Sequence, residues 1–75
     1  MTEDRYTAVL VYSTSHALRA ESLLADAGIV CKLIPVPREL SSDCGVCVRV
    51  RREDREATRE TLGKSRLEIE GIYDI

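Results

Sequence analysis

An α+β fold built on a small antiparallel sheet is what this sequence predicts, and three observations carry the prediction. Two apolar runs rich in β-branched residues, Tyr6–Tyr12 and Ile29–Ile34, flank a stretch whose apolar residues recur at helical spacing. A further run, Val46 to Arg51, alternates valines with Cys47, Arg49 and Arg51, as a strand with one buried face does. A second helix-period stretch and a last alternating run then complete the order β-α-β-β-α-β.

The first strand stops at Ser13-Thr14-Ser15, three hydroxyl residues of which any can cap the following helix. That helix buries Ala17, Ala20, Leu23, Leu24 and Ala27, turns Arg19, Ser22 and Asp26 outward, and ends at Gly28, a C′ residue expected at positive φ. In the next strand Cys31 and Leu33 alternate against Val30, Lys32 and Ile34, and Pro35-Val36-Pro37 closes it, because proline cannot donate to a ladder. Arg38–Gly45 reads as a polar loop, so the second and third strands form a hairpin with a long connection. Arg52–Leu62 reads as a charged helix begun near Asp54 and ended at Gly63, with a thin apolar stripe of Ala57 and Leu62 helped by Thr58 and Thr61. Leu67-Glu68-Ile69-Glu70 alternates as the last strand, with Ile72–Ile75 trailing from it. This order is the split βαβ, ferredoxin-like arrangement, a two-layer sandwich with both helices on one face of the sheet.

Composition narrows the function. Seventy-five residues make one domain, 1–75, whose core is thin and which cannot wall a deep cleft of its own. A carrier or a binding module is therefore expected ahead of a stand-alone enzyme. The net charge of −2, with no Trp or Phe, supplies neither the basic footprint nor the stacking rings that nucleic-acid binding draws on. No apolar run approaches the length of a membrane span, and the acidic start Met1–Arg5 leads into no signal-peptide core. Three cysteines, an odd number, suit free thiols in a reducing cytoplasm. The open sheet face leaves room for self-association.

Chemistry is expected at the thiols. The β-α-β-β order puts the turn Ser13–His16 and the loop Arg38–Gly45 at one end of the sheet, so the N-terminus of the first helix faces the neighbourhood of Cys44. A helix N-terminus stabilises a thiolate; Asp43 opposes this and Arg38 offsets it. Cys44 lies in Ser41-Ser42-Asp43-Cys44-Gly45, a polar turn with no core to fill, and is the candidate nucleophile. Cys44-Gly45-Val46-Cys47 is also a C-x-x-C, so Cys47 is either a resolving thiol or a spectator on the open face. Cys31 reads as a small buried apolar residue. His16 either serves Cys44 as a base or packs at the helix end. No zinc site and no cofactor is expected, since a second cysteine pair or a His pair is lacking; two thiols could still hold a soft ion such as Cu(I). Lys32, Arg49 and Arg51 form a positive stripe on the open face, either a solvated surface or a docking site for an anion.

The strand ending Val11-Tyr12-Ser13, the segment Thr14-Ser15-His16-Ala17-Leu18-Arg19-Ala20-Glu21 and the run Ile34-Pro35-Val36-Pro37-Arg38-Glu39-Leu40-Ser41-Ser42-Asp43-Cys44-Gly45 together resemble the selenium/sulfur (Se/S) carrier protein-like family. The resemblance covers most of residues 6 to 50, with P-x-P-R-x-x-S-S-x-C-G its specific segment. It implies a cysteine that holds sulfur or selenium as a persulfide or selenylsulfide, taken from a cysteine desulfurase-type donor and passed to an acceptor protein. Only Cys44 falls on the motif. Two other readings stand beside it: a Cys44–Cys47 dithiol switch, and an interaction module that docks through the open sheet face.

Overall fold

The computed structural model describes residues 5–40 and 44–75. Its elements are β1 (Tyr6–Leu10), α1 (Thr14–Asp26), β2 (Cys31–Pro35), β3 (Val46–Arg51), α2 (Arg55–Lys64) and β4 (Gly71–Asp74), with a 3₁₀ turn at Arg52–Asp54 leading into α2. The sheet is antiparallel throughout, in the order β2-β3-β1-β4. The central strand β3 pairs Val48 with both Val9 and Leu33, so β1 and β2 run parallel on either side of it, as the helical crossover requires.

Alternation along the strands divides the core in two. Val9, Val48 and Val50 face the helices, where Ala17, Ala20 and Leu24 of α1 and Leu62 of α2 close over them with Val11 and Ile29. Ala8, Leu10 and Cys47 point to the other face and form a smaller cluster with Ile34, Val36 and Leu40. The expectation of an α+β fold with two helices against one face of an antiparallel sheet therefore holds.

Both helices end in the same backbone device. After α1, Gly28 (φ 81°) donates its N–H to Ala25 and Ile29 donates to Leu24. After α2, Arg66 donates to Gly63 and Leu67 to Leu62, with Arg66 at φ 58°. These are paired 5→2 and 6→1 bonds of Schellman type, with a left-handed residue at C′. Glycine adopts that conformation freely, whereas Arg66 does so against the contact of its own Cβ.

Two boundaries and one buried face differ from the sequence expectation. The last strand is Gly71–Asp74 and not Leu67–Glu70. The left-handed turn at Arg66 sends Leu67 and Ile69 onto the helix-side core as a connector, and Glu70 N–H then bonds Leu10 carbonyl at 2.7 Å to open the ladder with β1. Helix α2 runs through Gly63 to Lys64. Its buried face is Thr58 and Leu62, one i,i+4 row, which leaves Ala57 exposed.

Candidate functional site

One end of the sheet gathers the chain segments on which chemistry was expected. The register places Leu10 opposite Cys47 and opposite Gly71, and Pro35 opposite Val46. The exit of β1 toward α1, the β2–β3 connection and the entry to β4 therefore share this end. Cys44 precedes β3 here. It is half-buried and packs against the helix-side cluster that contains Val11 and Ala17, the residues on either side of the α1 cap. Gly45, at φ 84°, makes the left-handed step from Cys44 into β3, and its carbonyl accepts the Val36 N–H at 3.2 Å, closing the base of the connection. Ser41, Ser42 and Asp43 lie outside the described residues.

Across this end, Ser13 caps α1. In extended backbone (φ −155°, ψ 165°), its Oγ accepts the His16 N–H at 3.2 Å and lies 2.7 Å from His16 Nδ1. One hydroxyl can serve both, its lone pair taking the backbone N–H and its proton turned to the ring. His16 also meets the ring of Tyr12 edge-on at 6.5 Å. It lines a shallow cavity of about 400 Å³ with Arg19, Arg66 and Leu67, on the side of the connector into β4. Thr14 and Ser15, in the first turn of α1, are exposed, as is Arg38.

Cys47 takes the face expected of it but is covered there. Cys47 does point away from the helices with Arg49 and Arg51, but it is 0% exposed. Val36 and Leu40 fold back over it, with a turn fixed by the Leu40 N–H to Pro37 carbonyl bond of 3.0 Å. Burial pushes the Cys47 thiol above the ordinary thiol range, and negative charge on Cys44 pushes it further. The two sulfurs are thus near enough to feel one another while packing against opposite faces of the sheet. The sequence signal for the cover was present in Val36 and Leu40, two apolar side chains in an otherwise polar connection. Cys31 packs against the helix-side core from the edge strand β2 and is half-buried, its Sγ 3.7 Å from the Glu21 carbonyl. Burial, then the charge of Glu21, raises it as well.

A model of the family described as "Putative Se/S carrier protein-like" matches residues 6–74. The chain belongs to that family. The match takes in every element of this Se/S carrier-like fold from β1 through β4, beyond the segment whose residues carry the resemblance in sequence. Comparison with curated proteins and with solved structures finds no match. Among the described residues no helix is long and apolar enough to cross a membrane, and no group of three or more His, Cys, Asp or Glu side chains is arranged to hold a metal ion.

Proposed function

We propose that this protein carries sulfur or selenium on Cys44 in the cytoplasm, as a non-enzymatic intermediary between a cysteine desulfurase-type donor and an acceptor protein. Family membership over residues 6–74 is the observation that carries the reading. The position of Cys44 supports it: a half-buried thiol on a connection, at the sheet end shared with the capped N-terminus of α1, is reachable by a partner's sulfur without a cleft. Viewed from the other edge, the strand order β4-β1-β3-β2 supports a ferredoxin-like arrangement.

In the loading step the Cys44 thiolate attacks the outer sulfur of the donor's persulfide. The new S–S bond forms as the donor's S–S bond breaks, and the donor cysteine leaves as a thiolate. The transfer is redox-neutral, and the selenylsulfide case differs only in the atom carried. An acceptor thiolate repeats the exchange and expels Cys44. The Ser13-capped start of α1 lies at the same end of the sheet as the carrier sulfur. Arg38 complements its charge, and Gly45, at positive φ, makes the step from Cys44 into β3. Burial of Cys47 beneath Val36 and Leu40 supports a single-thiol carrier over a Cys44–Cys47 dithiol.

Intact-mass measurement after incubation with a cysteine desulfurase and cysteine tests the reading. Wild type and Cys47→Ala should each gain the mass of one sulfur, removable with dithiothreitol, and Cys44→Ser should gain none. Loading retained in Cys44→Ser refutes the assignment, and loss of loading in Cys47→Ala favours the dithiol.

A further inference from the structure

The opposite end of the sheet holds a second feature, away from Cys44. Tyr6, Lys32, Arg49 and Arg51 share the face away from the helices and, with Val30, Cys31 and Val50, line a surface cavity of about 220 Å³. The register explains how they meet: Lys32 lies directly opposite Arg49 across β2 and β3, and Tyr6 lies opposite Arg51 across β1 and β3. Arg49 stacks its guanidinium on the Tyr6 ring, 4.0 Å from the centroid. Arg51 has Glu53 at 3.9 Å, a solvent-exposed pair of little strength. Among the described residues no carboxylate lies within ion-pair distance of Lys32 or Arg49.

We propose that this cavity binds a small, doubly charged oxyanion of the phosphate class. Like charges placed directly opposite one another on a sheet destabilise it, yet the chain, acidic as a whole, sets Lys32 against Arg49 there. An anion between them reverses the sign of that interaction. The ring beneath Arg49 holds its planar fork in place, so little side-chain freedom is lost when the fork meets two oxygens. The ammonium of Lys32 adds a point charge, and Arg51 a second guanidinium from the rim. The small volume suits an inorganic oxyanion. Cys44 lies beyond the other end of β3, which spans about 17 Å from Val46 to Arg51, with Arg49 about 10 Å along it. Oxyanion binding and sulfur loading are therefore separable.

Titration of the ¹⁵N-labelled full chain with inorganic phosphate, at ionic strength held constant with sodium chloride, tests the site. Saturable shifts are expected at Tyr6, Lys32, Arg49 and Arg51, with none at Cys44–Val46. Arg49→Gln should weaken binding about tenfold, the loss of one charge-assisted contact. Lys32→Gln, at an exposed position, provides a second variant whose fold is read from the same spectra. Shifts matched by chloride alone, or equal phosphate affinity in both variants and wild type, overturn the proposal. So does an acidic peptide that binds this face when phosphate does not.

Discussion

Cys44 and Cys47, three positions apart around a left-handed glycine, pack into opposite faces of one sheet: Cys44 against the helix-side core, Cys47 beneath Val36 and Leu40. The spacing that suggests a redox pair is here the spacing of a turn followed by a strand.

Alkylation rates should report this division. With iodoacetamide near neutral pH, followed residue by residue by mass spectrometry, Cys47 should react at least about tenfold more slowly than Cys44. Leu40→Ala removes part of the cover and should accelerate Cys47 alone. Equal rates for the two thiols in the native protein would refute the burial argument.

The buried thiols also make stability depend on pH. Cys47 and Cys31 both titrate above the ordinary thiol range in the folded protein, for want of water around the thiolate. The unfolded chain releases these protons first, near pH 8.5, while the folded chain still holds them. Their contribution is thus complete below about pH 8.5 and is lost as pH rises through the higher folded values. Urea denaturation under reductant should show a midpoint falling over that alkaline range. Cys47→Ala should make the fall shallower, at a cost of roughly 1 kcal/mol at neutral pH for the volume removed. An unchanged slope in that variant would place the effect elsewhere.

Arg66→Gly should stabilise the protein. Arg66 holds φ 58° at the C′ position of α2, where a side chain adds strain that glycine lacks. After the extra chain entropy of glycine is subtracted, a gain of about 0.5–1 kcal/mol in chemical denaturation is expected. Gly28→Ala, at the equivalent position after α1, should cost a similar amount.

Thr58→Val should also stabilise. Thr58 is 0% exposed, and its Oγ1 has no hydrogen-bond partner among the described residues. Replacing that hydroxyl with a methyl group keeps the shape and the β-branch while removing a buried polar atom, for a gain of about 1 kcal/mol. A loss of stability would mean that the hydroxyl is satisfied.

Much of this molecule is written locally. The Ser13 cap, the Ala17–Ala20–Leu24 stripe, the Gly28 stop and the Val46–Val48–Val50 alternation each depend on residues within a turn or two of one another. The element order and the position of Cys44 in the β2–β3 connection were accordingly legible in the sequence alone. The last strand was not. Leu67 and Ile69 alternate as well as Ile72 does, and only the left-handed turn at Arg66 with the bond from Glu70 to Leu10 selects Gly71–Asp74 as the partner of β1. The thiols divide in the same way. Period-two alternation determined which face of β3 Cys47 occupies. Its burial was decided by Val36 and Leu40, because whether a side chain on an open sheet face meets water depends on what the rest of the chain lays over it.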